Sequence, residues 1–144
     1  GYKVSFVQDN ESKSTKGVLR GLHYQVPPFS QSKLIRVSYG RIIDIVVDLR
    51  KSSPSFGKYI AEELSDTNNR QIFIPHGFAH GFIVLSDTAI VSYKVDNYYS
   101  REHERGIIYN DENLNIEWNF DLKNIIVSDK DKAHPALTEA FKFE

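Results

Sequence analysis

Ile42-Ile-Asp-Ile-Val-Val-Asp-Leu49 is the stretch that decides how this chain folds. A period of two puts Ile43, Ile45, Val47 and Leu49 on one face and Ile42, Asp44, Val46 and Asp48 on the other. The first face is wholly apolar. The second is apolar at every other position, so the strand is expected to be covered on both sides rather than to float one face in water. On either side of it the chain is cut by glycines and prolines into short segments rich in β-branched and aromatic residues. The pattern predicts further strands at Val4–Gln8, Val18–Gln25, Leu34–Tyr39, Lys58–Leu64, Gln71–Ile74, Ala79–Leu85, Ala89–Val95 and Gly106–Tyr109. Helical signals are few: cap-rich turns at Ser65–Asn69 and Asn110–Leu114, and a short terminal helix over Pro135–Phe143. Strands separated by turns, with almost no helix between them, give an all-β sandwich of the jelly-roll type instead of a parallel βαβ sheet.

The 144 residues suit one domain, 1–144, without repeats or a long linker. With no cysteine there is no disulfide framework, thiolate metal site or cysteine nucleophile. Eighteen basic and nineteen acidic residues leave a net charge of −1, which argues against a general nucleic-acid binder as partner. No apolar run approaches the roughly 20 residues of a membrane span. Neither a Gly-x-Gly-x-x-Gly or Walker loop nor a serine nucleophile elbow occurs, so a bound nucleotide would be held by arginine and lysine side chains.

The five histidines are the natural search set for proton chemistry, because histidine titrates near neutral pH. In Gly17-Val-Leu-Arg20-Gly-Leu-His23-Tyr-Gln25, alternation places Leu19, Gly21, His23 and Gln25 together and Arg20, Leu22 and Tyr24 opposite. Spacing alone favours a core histidine at 23, bonded to a backbone carbonyl. His76 and His80 sit four apart in Ile74-Pro-His76-Gly-Phe-Ala-His80-Gly-Phe82, the spacing of a zinc pair on a helix. Pro75, Gly77 and Gly81 oppose that helix, and no clear third ligand lies nearby. His103 and His134 fall in polar stretches and are expected at the surface, as is the charge run Asp129-Lys-Asp-Lys132.

Several segments together are similar to the dTDP-4-dehydrorhamnose 3,5-epimerase family. They are Val7-Gln8-Asp9-Asn10, Gly17–Gln25, Lys33-Leu-Ile-Arg-Val37, Val47–Gly57, Ile74–Phe82, Tyr93-Lys94, Asn97-Tyr98-Tyr99, Asn110-Asp111, Ile116-Glu-Trp118 and Ser128-Asp-Lys130-Asp131. They cover nearly the whole chain in order. The resemblance implies a cupin-like jelly roll that pairs as a homodimer, works in the cytoplasm and inverts centres beside a sugar ketone without metal or organic cofactor. It implies dTDP-4-dehydro-6-deoxyglucose as substrate and dTDP-4-dehydro-rhamnose as product. By motif position, His23 resembles the base, Asp131 the carboxylate that orients it, Tyr93 the acid and Lys33 the cation beside the developing enolate. Gln8, Asp9, Asn10, Arg20, His80, Glu104 and Lys130 match substrate-contacting positions. For Arg20 to share a pocket with His23, Gly21 must bend the strand. Tyr98 and Tyr99 are expected to pack or to stack on thymine, and Trp118 to be a core or pocket-wall aromatic.

The roles are chemically coherent. A proton α to a ketone can be removed because its charge passes to the carbonyl oxygen, where Lys33 would meet it. Inversion needs a second group on the opposite face, since a single base tends to return the proton where it came from. Three rival readings stand beside this one. They are inversion of a single centre or of a related nucleotide sugar, a metal-dependent cupin enzyme using His23 and His80, and a sugar-nucleotide binding module without turnover. Against metal, the cupin His-x-His pair is absent around the lone His23. The family pattern begins partway in, at Phe6-Val7-Gln8-Asp9-Asn10, in a chain that starts at Gly1 and holds no methionine. The expectation is therefore that the family's N-terminal region, with an arginine and an acidic residue that help hold the nucleotide sugar, is lacking.

Overall fold

The computed structural model describes residues 3–144. Its strands are β1 (Gln8–Thr15), β2 (Leu19–Gln25), β3 (Lys33–Tyr39), β4 (Arg41–Asp48), β5 (Tyr59–Ser65), β6 (Gln71–Ile74), β7 (Phe78–Val84), β8 (Thr88–Val95) and β9 (Glu104–Gly106). They form two antiparallel sheets, ordered β1-β8-β3-β6 and β5-β4-β7-β2-β9. Apart from the β4–β5 hairpin, consecutive strands pass from one sheet to the other, as β3 and β4 do across Gly40, which makes the pair a jelly roll.

Both faces of β4 are indeed covered, and by different layers. Ile42 and Val46 belong to the core between the sheets, with Ile35, Val37, Phe82 and Val91. Ile43, Ile45, Val47 and Leu49 belong to a second core on the outer face of the five-stranded sheet, with Leu19, Leu22, Ile83, Ile107, Leu114 and Trp118. That outer layer is built by the chain after β9. Each fully buried isoleucine there stabilises the fold by about 1.5–3 kcal/mol over an exposed one.

The covering segment has little regular structure because side chains take up its backbone groups. Asp111 accepts the N–H of Leu114 at 2.9 Å and that of Leu137 at 2.8 Å. The Trp118 ring, 2% exposed, donates its N–H to the Tyr109 carbonyl at 3.0 Å. Phe143 bonds on both sides of Arg50, donating to Leu49 and accepting from Lys51. These ties replace the helix expected over Pro135–Phe143, where turns occur instead. The one α-helical turn among the described residues is α1 (Asp129–Lys132), in the stretch expected to be a solvated charge run. A 3-10 turn lies at Leu122–Asn124.

Two strands lie elsewhere than expected. The first runs from Gln8, not up to it, and the last spans Glu104–Gly106 rather than Gly106–Tyr109. Strand β1 is an edge strand whose inward residues Gln8, Asn10, Ser12 and Ser14 are polar, so it carries no apolar alternation to read.

Candidate active site

Strand β2 does not alternate evenly. Arg20 pairs with Phe82 and His23 with His80, so two residues of β2 stand opposite the single Gly81 of β7. This bulge turns Arg20 and His23 to the same side of the sheet and sends Leu19, Leu22 and Tyr24 to the outer core. The even alternation read from the sequence is thus corrected, at the glycine that was expected to bend the strand. Gly21 has φ +132°, and a Cβ there would lie 2.5 Å from the Gly81 Cα. Only glycine fits both the dihedral and the approach.

His23 meets Asp131 across 108 positions of sequence, Nε2 to Oδ1 at 2.6 Å. Asp131 is placed by α1, where Ser128 caps the turn by accepting the Asp131 N–H at 3.1 Å. Its Oδ2 accepts the Gly21 N–H at 3.1 Å, and its side chain is 5% exposed. Burial pushes the Asp131 carboxyl up, but bonds from His134, His23 and the Gly21 N–H hold it well below the usual carboxylate range. An ionised Asp131 accepts a hydrogen bond from the Nε2–H of His23, which leaves Nδ1 as the ring nitrogen able to take a proton.

In front of His23 lies a cavity of about 250 Å³, lined also by Gln8, Asn10, Lys33, Tyr93 and Glu104. Burial pushes Lys33 down to about 8, against the pull of Asp44 and Glu104. Burial likewise raises the Tyr93 hydroxyl, which the positive charge of Arg20 draws back down. Glu104 is raised by burial, yet its bonds to Lys130 and to the Tyr99 hydroxyl (2.9 Å) prevail and keep it low. Gln8 donates to Asn10 Oδ1 at 2.9 Å, and Asn10 stands opposite Tyr93 on the neighbouring strand. A larger depression of about 440 Å³ lies on the outer side of the four-stranded sheet, but neither His23 nor Lys33 borders it.

The structure therefore gathers His23, Lys33, Tyr93, Gln8, Asn10 and Glu104 around one cavity, with Asp131 bonded to His23 and Lys130 to Glu104. Arg20 lies on the same side of the sheet, its Nε bonded to Ser14 Oγ at 3.2 Å. Asp9 does not join them. It points to the outer face and pairs with Lys94 at 2.9 Å, because neighbours on a strand face opposite ways.

His80, beside His23, is buried and bonds Asp44 at 2.8 Å. Burial lowers its basicity, with Asp44 opposing. Asp44 is a partner the sequence reading did not name, although an aspartate on a covered strand face signals a buried partner. His76 points elsewhere, to Asp96 at 3.0 Å, so the two histidines do not converge on an ion.

Two histidines expected at the surface are not there. His103 is half-buried, bonded to Ser100 at 2.7 Å with its ring 4.6 Å from that of Phe29. His134 is 11% exposed and lies 3.2 Å from Asp131 Oδ1, because α1 turns its short polar segment back onto β2 and β9. Among the described residues, His23, Asp131 and His134 are the one group whose spacing could hold a metal, with ligand atoms within 4.8 Å of one another. The 2.6 Å contact of His23 with Asp131 is a hydrogen bond. Ligands on a tetrahedral zinc stand about 3.3 Å apart, given bonds of about 2.0–2.1 Å, so an ion would have to break it.

Comparison with known proteins places these features in context. Residues 1–139 match the family described as dTDP-4-dehydrorhamnose 3,5-epimerase. A relative of that name from Shigella flexneri is 58% identical over 131 residues, 91% of this chain and 71% of its own length. A crystal structure of the enzyme of that name from Elizabethkingia anophelis superposes with a TM-score of 0.92 at 49% identity, covering 94% of this chain and 74% of that one. The Legionella pneumophila epimerase in complex with dTDP-4-keto-L-rhamnose gives 0.92 at 46% identity, covering 96% and 72%.

Proposed function

This chain belongs to the dTDP-4-dehydrorhamnose 3,5-epimerase family, and we propose that it inverts C3 and C5 of dTDP-4-dehydro-6-deoxyglucose to give dTDP-4-dehydro-rhamnose. The observation that carries the reading is the His23–Asp131 pair at 2.6 Å, opening onto a cavity that Lys33 and Tyr93 also line. His23 Nδ1 takes the proton from the carbon beside the C4 ketone, and the electron pair of that C–H bond moves into the ring, leaving the charge on the ketone oxygen. Lys33 meets that oxygen with a positive charge in a site partly cleared of water. Tyr93 delivers its hydroxyl proton to the opposite face of the carbon and recovers one from solvent, while the His23 imidazolium returns its own to solvent. A second round at the other carbon completes the conversion.

Arg20 supports a transient tyrosinate by its charge. Gln8, Asn10, His80, Glu104 and Lys130 hold the sugar and its diphosphate. Asp9, facing away, contributes through the Lys94 pair that fixes β1 against β8.

The reading carries with it a homodimer and a cytoplasmic setting, where nucleotide sugars are made. Strand β1 lies at a sheet edge, and Phe6 and Val7 before it are 37% and 42% exposed. Sedimentation at twice 16.6 kDa would support the pair, and a monomer at working concentration would remove it.

The test of function is to incubate the protein with dTDP-4-dehydro-6-deoxyglucose in D2O and read both ring positions by NMR. Deuterium at C3 and C5 is the expected result. Label at one centre alone would replace the reading with single-centre epimerisation, and label at neither would overturn it.

A further inference from the structure

We infer that His134 is a positioning residue for the proton transfer, acting through Asp131 on His23; this rests on the reading of His23 as the base. Both imidazoles reach the same carboxylate oxygen. His23 Nε2 lies 2.6 Å and His134 Nε2 3.2 Å from Asp131 Oδ1, while Oδ2 is taken by the Gly21 N–H. The His134 ring stands edge-on to that of His23, with centroids 5.5 Å apart and planes at 79°.

A glycine makes this approach possible. Gly106 pairs with His23 across β2 and β9, and a Cβ on it would sit 2.4–2.5 Å from the His134 ring atoms. The strand next to the base is thus bare of a side chain at the one place where His134 enters behind the Asp131 pair.

A ring that merely filled this space could be apolar. The His134 side chain is only 11% exposed, and its buried Nε2 makes no well-formed hydrogen bond among the described residues, lying 3.2 Å from Asp131 Oδ1 without good bonding geometry. Among the described residues its ion-pair partner is Asp131, and it is the largest of the influences that keep that carboxyl ionised.

A carboxylate approached on three sides is held in one orientation, and so is the ring that donates to it.

The experiment compares two polar variants, each tested for folding by near-UV circular dichroism. In His134→Gln the side-chain amide reaches the position of Nε2, and in His134→Asn it is too short. The readouts are the kcat and KM of deuterium entry at C3 and the downfield NMR resonance of the His23 N–H shared with Asp131.

His134→Asn is expected to lose about tenfold in kcat, the scale of a hydrogen bond to a charged group, with KM within about twofold of the original protein. Its downfield resonance should shift or broaden. His134→Gln should recover both. Three results would overturn the inference: the Asn variant turning over normally with its resonance in place, the two variants losing activity alike, or a rise in KM alone. If the unmodified protein exchanges no deuterium, the proposed function fails. The resonance in the two variants still reports whether His134 governs the Asp131–His23 bond.

Discussion

Lys33 offers a quantitative test of the enolate step. Burial in the cavity brings its ammonium from the ordinary 10.5 down to about 8, against the partial support of Asp44 and Glu104. A lysine titrating there is about 90% charged at pH 7 and about 10% charged at pH 9. If the charge stabilises the enolate oxygen, kcat/KM should fall about tenfold between those two values, with the midpoint of the limb near 8. Tyr93, raised above its usual range, titrates later and does not share this limb.

Stability moves the other way. The folded state holds its Lys33 proton less tightly than the unfolded chain, so between about 8 and 10.5 it binds fewer protons. The Lys33 contribution to folding therefore improves as pH rises, and a loss of rate in this window does not arise from its unfolding the site. The assay is initial-rate deuterium exchange from pH 6 to 10, with a urea midpoint at each pH. Lys33→Arg keeps its charge throughout and should abolish the limb. Lys33→Met should lower kcat by about 10²–10³, the scale of losing one donor to a developing oxyanion. A flat kcat/KM profile to pH 9.5 in the unmodified protein would refute the argument.

Tyr93→Phe should still let His23 exchange the proton, but net formation of the inverted sugar should fall by about 10²–10⁴; the ratio of exchange to epimer in one NMR time course reads this, and equal losses of both would remove Tyr93 as the acid. Gly21→Ala places a Cβ 2.5 Å from the Gly81 Cα at φ +132° and should cost at least about 2 kcal/mol by urea unfolding; a neutral change would mean that β2 can relax its bulge. Asp48 is raised by burial, yet bonds from Arg50, Ser53 and Ser55 together hold it far below its ordinary 3.8. Its stabilisation is present above about that pH and fades as pH falls below it, so Asp48→Asn should flatten the acid side of the stability profile; an unchanged acid slope would contradict the assignment.

The sheet architecture was legible where burial leaves an apolar record. Ile42–Leu49 announced a strand covered on both faces, and the two cores divide its residues as the alternation says. The strand at Gln8–Thr15 left no such record, since its inner residues are polar, Gln8 and Asn10 lining the cavity and Ser14 bonding Arg20. The terminal segment reads as a helix in sequence because the Asp111 carboxylate that accepts the Leu137 N–H lies 26 residues earlier. In the site, Gly21 hinted at the bulge, and motif resemblance named the residues that the cavity gathers. Spacing could not reveal which histidine meets a carboxylate, because His23 and Asp131 are 108 residues apart. His134 was hidden for the same reason: a polar neighbourhood in sequence became a buried one when α1 turned it back against β2 and β9.

His23 as the group that removes the sugar proton is put to the test by His23→Ala in D2O with dTDP-4-dehydro-6-deoxyglucose, following label at C3 and C5 in a protein whose near-UV circular dichroism matches the original. Label should fail to enter at either position. Entry at the original rate would contradict the account.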